Sequence, residues 1–198
     1  LYVHLWNSDE WSIQTEQELF SPKLAEGLPE LCFSIRARLS CISTQLESYF
    51  TKAYSILDML CKIGYEFQFP ERDFPSYRKI KSSEILWGTR KKLQINNTPH
   101  TLFEKCDLIT LIESLRNEVV HNGTWELNPK VFLRFERGAL IERYMLFPDI
   151  SQGHLSTVKS RKHFFGNGIK VNEVLPKIHI AYQQRLLNSV KLLNALQL

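Results

Sequence analysis

SIRARLSCISTQLESYFTKAYSILDMLCKIG, residues 34 to 64, decides the fold. Within it Ile35, Leu39, Ile42, Leu46, Tyr49, Ala53, Ile56, Leu60 and Ile63 recur at alternating steps of four and three. That period is one face of an α-helix, held for about four heptads. Pro29 suits the first turn of such a helix and Gly64 suits its stop. About 35 residues would make a rod roughly 50 Å long at 1.5 Å per residue. A rod of this kind cannot bury its own apolar stripe, so its partners must come from the rest of the chain.

Two further long helices are expected. One runs from about Thr101 to His121, with Leu108, Leu111, Ile112, Leu115 and Val119 as its core stripe. Thr98 or Thr101 can cap it, Glu104 stands at capping-box spacing from Thr101, and Asn122-Gly123 ends it. The last runs from Asn172 to Leu196 on Leu175, Ile178, Tyr182, Leu186, Val190, Leu193 and Leu196. A shorter helix is expected over Ser83 to Leu93, in a stretch rich in lysine and arginine that reads as a solvated loop and helix face. Between the last two long helices the period drops to two. Residues 131–137 and 140–147 flank Gly138-Ala139 as a β-hairpin, and 163–165 and 168–171 flank Gly166-Asn167 as a possible second one. The expected architecture is mainly α. It is a helical bundle over residues 29–198 with a small β insertion at about 130–171, preceded by an N-terminal segment, 1–28, of no clear pattern.

Composition sets outer bounds. A chain of 198 residues with 43% hydrophobic and 23% charged residues is ordinary globular material, which excludes collagen-like and disordered classes. A net charge of +4 and a pI near 8.8 admit an anionic partner without demanding one. Cys32, Cys41, Cys61 and Cys106 form no C-x-x-C pair and read as reduced core thiols. The six histidines show no ligand spacing, so no metal site and no cofactor is expected. No apolar run reaches the roughly 18 residues of a membrane helix. The sequence opens at Leu1 rather than Met, without a signal-peptide pattern, and a cytoplasmic setting is expected.

The chemistry concentrates in LRNEVVHNG, residues 115 to 123. On a helical wheel Ser114, Asn117 and His121 fall opposite the Leu115 stripe, with Arg116 between the two faces. Asn117 and His121 are four apart and within hydrogen-bond reach of each other. His121 lies in the last turn, where the helix dipole favours imidazolium and Arg116 opposes it, a setting suited to a proton-transfer group. Arg116 offers a forked donor to phosphate oxygens. A guanidinium beside a titratable imidazole is a minimal kit for cleaving RNA by 2′-hydroxyl attack, with the guanidinium stabilising charge on phosphorus. Glu113 and Glu118 read as solvated carboxylates. Arg134, Arg137 and Arg143 on the hairpin, with Arg161 and Lys162 beside Phe164 and Phe165, would make an RNA-binding wall of cations and rings. The bland alternative is a basic hairpin surface with the rings turned inward. The tryptophans read as largely buried, and Gly166-Asn167-Gly168 as a turn rather than a phosphate loop.

Arg116-Asn117-x-x-x-His121, at the end of a long helix of an α-bundle and followed by Asn-Gly, resembles the R-x(4–6)-H motif of the HEPN superfamily. The stretch Tyr-Ser-Ile-Leu-Asp-Met-Leu at 54–60 is similar to members of that family as well. The resemblance implies a dimer in which two motifs meet across a two-fold axis. Arg116 and His121 would be catalytic and Asn117 would orient the site. It further implies a metal-independent endoribonuclease of phage defence or of a toxin system, with an antitoxin or nucleotidyltransferase as possible partner. The alternative is a non-catalytic HEPN module that binds nucleotide or RNA, or scaffolds a partner.

Overall fold

The 34–64 stripe does form a helix, and one longer than its pattern. A computed structural model of the chain describes residue 17 and residues 28–69, 81–88, 93–125, 130–156 and 163–196. Helix α1 spans Leu28–Gln68, 41 residues, or roughly 60 Å at 1.5 Å per residue. Its buried line is Ile42, Leu46, Phe50, Ala53, Leu57, Leu60 and Cys61, which drifts around the rod as a straight 3.6-residue helix must. Tyr49, Ile56 and Ile63 are only partly buried at its edge.

Gly64 does not stop α1. It is buried inside the helix, and a Cβ there would lie 2.9 Å from Ile95 Cδ1 and 3.2 Å from Leu193 Cδ2. The missing side chain lets two other parts of the chain approach the helix, a packing reason that no local pattern discloses. The N-terminal segment lies outside the described residues apart from Gln17 and Leu28, as do 70–80 and 89–92, with most of the basic residues noted there.

Helix α2, Ser82–Trp87, is shorter than expected and buries Ile85 and Leu86. Residues 93–106 then form linked turns rather than the start of a helix. Thr101 does not cap a helix: its hydroxyl donates to Thr98 O at 2.7 Å and accepts Phe103 N–H. Glu104 accepts His100 N–H and the Arg185 guanidinium, which pins these turns to the last helix. The Arg185 hydrogen bond, and then that of His100, hold the Glu104 carboxyl below its usual range. Its share of stability is therefore present above the ordinary carboxylate range and is lost as acid titrates through the lowered value.

Helix α3, Asp107–Asn122, carries the Arg–His stretch and buries Ile109, Leu111, Ile112 and Leu115. It runs antiparallel to α1, since Tyr54 meets Glu113 while Glu47 meets Thr124. Helix α4, Val171–Ala195, runs parallel to α1: Tyr49 meets His179, and Tyr182 Oη donates to Ala53 O at 2.8 Å. Its buried line passes through Ser189 rather than Val190, which is 39% exposed. The Ser189 hydroxyl accepts Leu102 N–H at 2.8 Å and donates to Arg185 O at 2.8 Å. Ser189→Ala would leave the Leu102 N–H buried and unbonded, so we expect a loss of about 1–3 kcal/mol in denaturant unfolding.

The insertion between α3 and α4 contains the first expected hairpin. Strands β1, Phe132–Glu136, and β2, Ala139–Tyr144, pair antiparallel around Arg137-Gly138, both at positive φ, the backbone twist that two-residue hairpin loops favour. A bulge falls between Arg134 and Phe135. The second expected hairpin is absent. Residues 145–147 bond instead to 169–171, through Phe147 N–H to Ile169 O and Val171 N–H to Met145 O. Asp149 takes up the Gly166-Asn167 turn, its carboxylate accepting both backbone N–H groups, so that stretch is a turn as read. A short hairpin of β3, Ile150–Ser151, and β4, His154–Leu155, lies in between and rests on the start of α3. Its Gly153, at φ +78°, passes so close that a Cβ would strike Asp107 O. Phe147 joins the insertion to the bundle, its ring 5.4 Å from Trp125 and 6.3 Å from Phe50. The chain is thus mainly helical, with two small two-stranded sheets among the described residues. No helix among the described residues is long and apolar enough to cross a membrane.

Candidate functional site

Helices α1 and α3, closed at one end by the start of α2, enclose a cleft of about 450 Å³. From α3 it is lined by Glu113, Arg116, Asn117 and His121. These residues sit at i, i+3, i+4 and i+8, the ridge that one helix face presents. Tyr54, Asp58 and Lys62 line it from α1 at steps of four, and Lys81, Ser82 and Ser83 complete it. The three residues singled out in sequence, Arg116, Asn117 and His121, therefore open into one space.

Arg116 and His121 reach that space differently. His121 is exposed in the last turn of α3, which Gly123 ends at φ +87° with its N–H donating to Val119 O at 3.0 Å. Arg116 is half-buried. Its guanidinium lies over the Tyr54 ring, 5.3 Å from the centroid, and its Nη1 donates to Asn117 Oδ1 at 2.9 Å. Asn117 thus holds the arginine, not the histidine as the four-residue spacing suggested. A guanidinium seated on a ring and bonded to an amide has few rotamers left, so its free N–H groups are aimed rather than mobile.

Glu113 is not a solvated carboxylate. Its Oε1 accepts the Tyr54 hydroxyl at 3.2 Å. Burial first, then the charges of Glu113 and Asp58, raise the Tyr54 phenol well above its usual value and keep it a neutral donor. Glu118 is not solvated either: its side chain is 18% exposed and stands 3.3 Å from His163 Nε2. The geometry is too poor for a hydrogen bond, so the contact is one of charge or proximity. Ser114 lies outside the cleft lining. Beneath the α1–α2 junction Cys61 is fully buried, and that burial pushes its thiol up to about 12 despite a hydrogen bond with Ser82, which makes it inert core.

The hairpin does not gather its arginines. Arg134 stands opposite Glu142 across the ladder and pairs with Glu136 along its own strand. Arg143 is one register away, opposite Leu133, and so projects from the other face. It is half-buried, and burial lowers its guanidinium from the usual value. Arg137 is exposed at the turn. Arg161 and Lys162 lie outside the described residues. Phe164 is 45% exposed while Phe165 turns inward, the alternation that would serve both stacking and packing. Trp125 is buried, as expected of the tryptophans.

Tyr54, Asp58 and Lys62 are the site residues that sequence reasoning missed. Their signal was a polar line at steps of four beside the apolar stripe of α1, which only the antiparallel packing of α3 turns toward Arg116. Among the described residues no group of three or more His, Cys, Asp or Glu side chains is placed to hold a metal ion. No family model, curated protein or solved structure matches the chain.

Proposed function

We propose that the chain is a HEPN-type, metal-independent endoribonuclease, with Arg116 and His121 as its catalytic groups and Asn117 as the residue that orients Arg116. The observation that carries this reading is the shared cleft: a fixed guanidinium and an exposed imidazole face one solvent-filled space on the antiparallel helices of an α-bundle. Arg116 binds the scissile phosphate and stabilises the charge that builds on its oxygens. His121 takes the proton from the attacking 2′-hydroxyl or supplies one to the leaving 5′-oxygen. The products are a 2′,3′-cyclic phosphate and a 5′-hydroxyl, with no water consumed in the first step.

Arg116 and His121 are five positions apart, about 140° of helix turn at 100° per residue, so within the cleft of one copy the two groups enter from opposite edges of the α3 face. A homodimer with two-fold symmetry would offer each phosphate an arginine from one copy and a histidine from the other. Val120 and Met59, 49% and 52% exposed on the two helices that wall the cleft, supply apolar surface for such pairing. The biological setting that fits is a cytoplasmic toxin or phage-defence nuclease, with an antitoxin or nucleotidyltransferase as its natural restraint.

The test is incubation of purified protein with end-labelled single-stranded RNA in chelator. Fragments ending in cyclic phosphate are expected. Cleavage that requires an added divalent ion, or fragments ending in 5′-phosphate, would replace this mechanism by a metal-dependent one.

A further inference from the structure

The cleft extends well beyond the two catalytic groups. Because α1 and α3 are antiparallel, Tyr54 stands level with Arg116, and Lys62 lies eight residues further along α1, about 12 Å away at 1.5 Å per residue. Ser82 reaches the same level, since its hydroxyl bonds to the neighbouring Cys61, and it brings Lys81 to that end. Asp58 and Glu113 occupy the wall in between. The charges along the cleft therefore run cation, carboxylates, cations.

We infer that Lys62 and Lys81 form a second phosphate subsite, which takes the backbone phosphate of a single-stranded RNA one or two nucleotides from the scissile one. This deepens the nuclease reading and rests on it for the position of the first phosphate. The carboxylates exclude a phosphate from the middle of the cleft by like-charge repulsion. What fits there is the sugar and base of an intervening nucleotide, whose base amino groups donate to Asp58 and to the free oxygen of Glu113. Tyr54 is only 7% exposed and its ring carries Arg116, so it is not a stacking platform, and the strand is held chiefly by its phosphates. Lys81 also stands 3.8 Å from Glu84, with both side chains largely exposed, a contact weak enough for a phosphate to displace.

The experiment measures binding, not cleavage. Its probe is a fluorescent single-stranded RNA in which every 2′-hydroxyl is methylated, so that attack on phosphorus is blocked. Lys62→Gln, Lys81→Gln and, as a control on α4, the exposed Lys191→Gln are titrated over a range of salt concentrations. We expect each cleft variant to weaken binding roughly five- to tenfold and to reduce the slope of log affinity against log salt by about 0.7, the value for one lost phosphate contact on a single strand. Lys191→Gln is expected to match wild type. The subsite is overturned if wild type does not bind, if both cleft variants keep its affinity and slope, or if Lys191→Gln loses as much as they do. The two readings fail separately. Protein that binds through the lysines yet leaves unmodified RNA intact keeps the subsite and loses the nuclease. Protein that cuts RNA but binds without regard to Lys62 and Lys81 keeps the nuclease and loses the subsite.

Discussion

If the proposed mechanism holds, Arg116→Ala and His121→Ala should each lower the RNA cleavage rate by two orders of magnitude or more while leaving the fold intact. Loss of a positioned proton-transfer group costs about 10²–10⁴ in rate, and loss of a donor to a developing oxyanion about 10²–10³. Neither side chain belongs to the buried core. His121 is exposed, so its removal should change stability by less than about 0.5 kcal/mol. Arg116 gives up a ring contact as well, worth about 0.5–1 kcal/mol, which a melting curve resolves. Arg116→Lys keeps the charge but loses the fork and the flat fit on Tyr54, so it should recover only a small part of the rate. If the site is composite, mixing the two inactive variants recovers about a quarter of wild-type activity, since half of randomly formed dimers are mixed and one of their two sites is whole. Full activity in either single variant would remove these residues from the chemistry. No recovery on mixing would place each site within one copy.

The largest effect on stability is expected for Phe147→Ala. The ring is fully buried, with Trp125 edge-on to it and Phe50 tilted against it. Truncation leaves a cavity between α1 and the insertion that aromatic neighbours cannot close by small shifts, which costs about 3–5 kcal/mol. That is a large part of the stability of a typical domain. Chemical denaturation should show the midpoint falling with the slope unchanged. A drop in the slope as well would mean that the insertion had come loose from the helices and unfolds by itself. A loss below about 1 kcal/mol would show that the cluster does not join the two parts.

Helix existence was readable because burial of one face leaves a periodic trace in the residues themselves, and α1, α3 and α4 were found at nearly their true places. Their ends were less readable. Gly64 carries the signature of a helix stop yet sits inside α1, since Ile95 and Leu193, both remote in sequence, need the space. Thr101 and Glu104 have the spacing of a capping box, but Arg185 draws Glu104 away and the helix begins only at Asp107. Val190 fits the apolar period of α4 better than Ser189 does, yet Ser189 is buried because Leu102 N–H needs an acceptor there. In each case a partner far along the chain outweighed a local preference of about 1 kcal/mol.

The candidate site divides the same way. Arg116, Asn117 and His121 could be named from one short stretch, because residue type and helical spacing are local facts. That Asn117 serves Arg116, that Glu113 and Glu118 are engaged, and that the hairpin arginines point apart are matters of what stands across from each side chain. By itself the sequence determined which segments become helices and where a guanidinium, an amide and an imidazole stand along one of them, because periodicity and residue type are carried within the segment. Only the tertiary structure decided which faces meet, and so made Tyr54, Asp58, Lys62 and Lys81 neighbours of Arg116: the antiparallel pairing of α1 with α3 depends on contacts between residues dozens of positions apart, and no short-range pattern encodes those.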